Sequence, residues 1–75
     1  MLNKNMFISK MKLYGDTQQI LADYIGISIQ RLNAKINGAE FSQSEIEKII
    51  IRYHLTGEEV IAIFFANVVS FQGLN

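Results

Sequence analysis

The stretch from Thr17 to Gly38, TQQILADYIGISIQRLNAKING, constrains this chain more than any other. Leu21, Ala22 and Ile25 recur at helical spacing and give its first half one apolar face. Gly26 follows at once, where a helix ending in the left-handed conformation favours a residue without Cβ. Ile27 supplies an apolar contact, and Ser28 is a suitable N-cap for a second segment. There Leu32 and Ile36, four apart, share a face. Asn37-Gly38 is a stop signal. The spacing therefore predicts two short helices joined by a tight turn, with the small side chain of Ala22 allowing a close crossing.

The flanks predict three more helices. Met1 to Lys4 is expected to fray. Helix 1 runs to about Tyr14, with Phe7, Met11 and Tyr14, or Met6, Lys10 and Leu13, as its apolar stripe. Gly15 stops it. Asp16 or Thr17 caps helix 2, and Gln19 stands where it can support the cap at Asp16. Residues 39–42 form a loop from which Phe41 tucks back under the motif. Ser42-Gln43-Ser44-Glu45 and Thr56-Gly57-Glu58-Glu59 are capping-box patterns that open helices 4 and 5. Ile46, Ile49, Ile50 and Tyr53 then fall on one face of helix 4. The expected fold is all-α, a compact bundle of five helices in a single domain, 1–75. The tail, 67–75, reads as a strand, an arm or a disordered end.

The motif resembles the helix-turn-helix of the lambda-repressor/Cro family of small phage-type regulators. The resemblance rests on Gln18, Leu21, Ala22, Ile25-Gly26-Ile27-Ser28, Leu32 and Asn37-Gly38. It implies a lambda-repressor-like DNA-binding domain whose second motif helix, about 28–37, lies in the major groove of an operator. Gln18 is similar to the family residue that hydrogen-bonds a phosphate. The implied DNA-contacting set is Gln18, Ser28, Ile29, Gln30, Arg31, Asn33, Ala34 and Lys35. By its own chemistry Gln30 can pair with adenine N6 and N7, and Ile29 and Ala34 can touch a thymine methyl. Asn33, one turn on, can reach a base edge or a phosphate. Arg31 and Lys35 suit flanking phosphates. Two positions depart from the family. Lys35 stands where an apolar residue is usual, so Ile36 is expected to take over the anchoring. Ile29 replaces the usual Arg or Gln and cannot hydrogen-bond a base.

Composition narrows the remaining choices. Hydrophobic residues make up 49% of the chain, enough for a packed core and against intrinsic disorder. There is no cysteine, hence no disulfide framework or thiolate metal site, which suits a reducing cytoplasm. The longest apolar run, Val60 to Ala66, cannot span a bilayer, and no signal peptide is legible. Net charge is zero, but residues 1–38 carry five cations against two anions and residues 39–75 the reverse. That asymmetry, +3 against −3, is the pattern expected if one face meets phosphates. No catalytic or metal-ligating constellation occurs, and neither cofactor nor small-molecule ligand is expected. His54 is a lone histidine at a helix end without a positioned partner. Glu58 and Glu59 are adjacent, do not share a face, and suit a helix start.

Two functions of different class follow. The first is a sequence-specific DNA-binding transcriptional regulator of the repressor or Cro type, with double-stranded operator DNA as its partner. The second is a helical protein-interaction module, antirepressor or antitoxin-like, that keeps the fold without specific DNA binding. In helix 5, Val60, Ile63 and Phe64 are spaced to face the core. Ile61 and Phe65 form a second apolar stripe, and Val68, Val69 and Phe71 add to it. A helix apolar on two faces is usually buried on two sides. These five residues are therefore expected to join a homodimer on a palindromic operator.

Overall fold

A computed structural model describes residues 2–66. They form five α-helices and no strand: α1 Lys4–Leu13, α2 Gln18–Ile25, α3 Ile29–Ile36, α4 Gln43–Tyr53 and α5 Gly57–Phe64. The all-α fold class and the helix count are those the sequence implied. Every helix begins on a side-chain cap. Asn3, Thr17, Ser28, Ser42 and Thr56 each accept a hydrogen bond from a first-turn backbone N–H. Each such cap contributes about 1 kcal/mol. At α4 and α5 the box is reciprocal, since Glu45 and Glu59 accept from the N–H of Ser42 and Thr56.

Two local expectations are corrected, and two alternatives are decided. Asn3 and Lys4 are not frayed: Asn3 caps α1, and its N–H donates to the Ile63 carbonyl at 2.7 Å. Thr17, not Asp16, caps α2, because Asp16 is engaged elsewhere. Gln19 then has no cap to support there and donates to Asp23 at 2.9 Å. Of the two stripes open to α1, Phe7 and Met11 are buried but Tyr14, the third member of theirs, is 42% exposed, and Leu13 of the other is 72% exposed.

The core gathers Phe7 and Met11 of α1, Leu21, Ala22 and Ile25 of α2, and Leu32 and Ile36 of α3. Ile49, Tyr53, Ile63 and Phe64 close it from α4 and α5. Phe41 does tuck back: its ring lies 5.6 Å from that of Phe7 and 5.7 Å from that of Phe64, the latter edge-on. Such pairs add about 0.5–1.5 kcal/mol beyond the area they bury.

Between α1 and α2 the Asp16 side chain is almost sealed from solvent, 2% exposed. It accepts two hydrogen bonds from the Arg52 guanidinium, both at 2.7 Å, and one from the Tyr53 hydroxyl at 2.6 Å. The Arg52 hydrogen bond, against the opposing effect of burial, holds the Asp16 carboxyl below its ordinary value. Burial and the neighbouring carboxylate push the Tyr53 phenol far up, so it stays a donor. Arg52 also lies 4.7 Å from the Tyr24 ring, joining α4 to α2.

Candidate nucleic-acid interface

α2 and α3 pack on one another more extensively than any other pair. The turn between them is set by Gly26, at φ 90° and ψ 30°. The N–H groups of Gly26 and Ile27 both donate to the Ala22 carbonyl, at 2.8 and 3.0 Å. The Lys48 ammonium takes the Ile25 carbonyl at 2.9 Å. A Cβ on Gly26 would meet nothing within 4 Å, so the need for glycine is one of backbone conformation alone. Ser28 starts α3, its Oγ accepting from the Arg31 N–H at 3.1 Å.

α3 divides cleanly. Leu32, Lys35 and Ile36 are buried, and Ile29 is half-buried against the core. Each residue turns the helix by about 100°. Gln30 and Ala34 therefore emerge opposite Leu32 and Ile36, with Asn33 along one edge and Arg31 along the other. All four are exposed. Ser28 is exposed at the helix start. Gln18, the first residue of α2, accepts a hydrogen bond from the Asn33 amide at 3.3 Å. Five of the eight residues singled out for DNA contact, Ser28, Gln30, Arg31, Asn33 and Ala34, are thus exposed together, and Gln18 stands half-buried at their edge.

The other two do not share that position. Ile29 is only partly accessible, and its apolar character has a packing reason. Lys35 is a correction. It points inward, 9% exposed. Its ammonium donates to Glu45 Oε1 and to the Glu40 carbonyl, both at 2.9 Å, and lies 5.8 Å from the Phe41 ring centre. It cannot serve a flanking phosphate while so engaged. Leu32 and Ile36 anchor the helix as expected, and the Lys35–Glu45 pair adds to them. Burial opposes ionisation of Glu45, but the Lys35 ammonium and the Ser42 N–H outweigh it and hold the carboxyl below its ordinary value.

The charge asymmetry along the sequence is partly cancelled in space. Lys10 pairs with Glu59 at 2.6 Å and Lys35 with Glu45, each crossing from the basic half to the acidic half. The cations of the basic half exposed to solvent are Lys4, Lys12 and Arg31. Lys4 was not among the expected site residues. Its ammonium donates to the side-chain Oδ1 of Asn37 at 2.8 Å, just past the end of α3. Beside it, Leu2, Ile36 and Gly38 complete an open depression of about 250 Å³. Neither Lys4 nor Asn37 carries a local sequence signal for this, because they are 33 residues apart.

Among the described residues no group of three His, Cys, Asp or Glu side chains could hold a metal ion. No described helix is long and apolar enough to cross a membrane. Of the expected dimer-forming residues, Ile61 and Phe65 are 46% and 43% exposed. Val68, Val69 and Phe71 lie outside the described residues. The fold and the face together define an all-α scaffold that presents one polar helix surface beside a second helix's N-terminus. Comparison with protein-family models, curated proteins and solved structures found no match.

Proposed function

We propose that this chain is a sequence-specific DNA-binding regulator that lays α3 in the major groove, with α2–turn–α3 as a helix-turn-helix of lambda-repressor/Cro type. One observation carries the reading. Gln30, Arg31, Asn33 and Ala34 are exposed, while Leu32, Lys35 and Ile36 fix the helix from beneath. A rigidly seated helix with short amides and a small apolar residue outward is what base edges require. Gln18, at the N-terminal end of α2, would add a phosphate contact, since backbone N–H groups there favour an anion. A homodimer joined through Ile61 and Phe65 would need to hold two such helices about 34 Å apart, the spacing of half-sites on a palindromic operator. The test is retention on immobilised calf-thymus DNA at low salt. The expected result is retention that falls steeply as salt rises; no retention at any salt would contradict it.

A second reading keeps support from the same surface. Two cations of the basic half are spent on internal ion pairs, which leaves a modest field for phosphates. Ile61 and Phe65 offer an apolar patch instead. On that reading the chain is an antirepressor or antitoxin-like partner. It predicts a stable protein complex and no salt-sensitive DNA retention.

A further inference from the structure

Side-chain amides from two elements, joined to a cation from a third, form a row along the Asn33 edge of α3. The Lys4 ammonium donates to Asn37 Oδ1 at 2.8 Å. Asn37 Nδ2 donates to the backbone carbonyl of Asn33 at 2.8 Å and approaches Asn33 Oδ1 at 3.4 Å. Asn33 Nδ2 donates to Gln18 Oε1 at 3.3 Å. The row has a direction, and its origin is chemical. An ammonium can only donate, whereas each amide has one accepting end and one donating end. Lys4, which can only donate, and the Asn33 backbone carbonyl, which can only accept, together set the Asn37 amide with its oxygen toward Lys4 and its nitrogen toward Asn33. Asn33 is set in the same sense, and the Gln18 carbonyl faces inward along the row. What is left at the far end is the Gln18 Nε2 group, a donor.

We infer that Lys4 is a positioning residue of the proposed DNA interface, acting through Asn37 and Asn33 to present Gln18 as a hydrogen-bond donor to phosphate. The inference rests on the DNA-binding reading above. With the amide reversed, Gln18 would turn its carbonyl oxygen toward a phosphate oxygen, and two acceptors cannot pair. Lys4 thus does more than add a charge near the duplex. It ties the start of α1 to the end of α3 and to the start of α2.

The experiment has two readouts on the full chain. In the free protein, side-chain amide resonances are compared between wild type, Lys4→Met and Lys12→Met by NMR. Lys12 is an exposed cation on the same helix but outside the row, so it controls for charge. Lys4→Met is expected to shift the amides of Asn37, Asn33 and Gln18 while core methyl resonances and melting temperature stay in place. Lys12→Met should move none of the three. A shift confined to Asn37 would overturn the inference, whatever DNA binding shows. The second readout is a double-mutant cycle with Gln18→Ala on calf-thymus DNA at low salt. Loss of one phosphate contact scales affinity for every sequence alike. Lys4→Met should weaken binding by about tenfold and Lys12→Met by about two- to threefold, with the Lys4 effect falling to that of Lys12 once Gln18 is Ala. Independent effects of Lys4 and Gln18 in a protein that binds DNA would overturn the positioning role and leave the functional reading intact. A wild-type chain that binds no DNA would overturn both.

Discussion

Lys35 is the residue whose role could least be read from its type. A lysine beside Arg31 on a helix suggests a phosphate contact, and only the tertiary fold turns it under Phe41 onto Glu45. Removing one partner of a buried pair leaves the other charge uncompensated. Lys35→Met should therefore destabilise the chain by about 2–4 kcal/mol. Lys35→Met combined with Glu45→Gln should recover most of that loss, because Gln can keep the capping box at Ser42. Urea unfolding of the three proteins checks this; a double variant no more stable than Lys35→Met would contradict it. Asp16, whose type and position also suit a cap, is instead the acceptor of Arg52 and Tyr53. Asp16 and Glu45 are both held below ordinary carboxylate values when folded. Unfolded, such groups titrate near about 4. The unfolded chain then binds more protons, so their stabilisation is complete above about pH 5 and is lost as pH falls below about 4. Melting temperature measured from pH 7 to pH 2 should drop in that range. Asp16→Asn should lower stability at neutral pH and flatten the acid drop, and an unchanged acid profile would contradict the assignment.

At the scale of elements, most of the architecture was legible because its signals are local. Ser42 with Glu45, Thr56 with Glu59 and Ser28 before α3 announce helix starts, and Gly26 announces a stop. Their partners lie within three or four residues. What was not legible depends on residues far apart in sequence. Asp16 meets Arg52 across 36 residues, Lys10 meets Glu59 across 49, and Lys4 meets Asn37 across 33. The candidate site shows the same division. The 3.6-residue period separates Gln30 and Ala34 from Leu32 and Ile36, but cannot tell that Lys35 has a buried acceptor. The turn offers a clean test, since nothing crowds Gly26 and only φ constrains it. Gly26→Ala should cost about 1 kcal/mol from left-handed strain alone. His54, the one non-glycine residue with positive φ among those described, sits at φ 50° at the end of α4. His54→Gly should be neutral or stabilising by up to about 1 kcal/mol. Thermal melts of the two variants should move in opposite directions or leave His54→Gly unchanged; equal losses would contradict the backbone argument. On α3 itself, Gln30→Ala should relax selectivity at one base position, worth about 1–3 kcal/mol. Competition between single-base operator variants measures it, and unchanged selectivity would remove α3 as the reader.

For the molecule as a whole, the proposal joins a small core to two outward surfaces. One is the polar face of α3. The other is the Ile61–Phe65 stripe of α5, still about half exposed after folding. Chains of this length bury a limited core, and an exposed apolar stripe marks an interaction surface, which the proposal assigns to a second copy. Sedimentation equilibrium at micromolar concentration should give a dimer, and Phe65→Glu should give a monomer of unchanged helicity. A wild-type monomer would separate the DNA-reading face from any palindrome. The most direct measurement of the central claim is selection of duplexes from a random pool by the wild-type protein at moderate salt. The account predicts enrichment of an imperfect palindrome whose half-sites lie one helical turn apart. A pool that stays random after repeated rounds would contradict it.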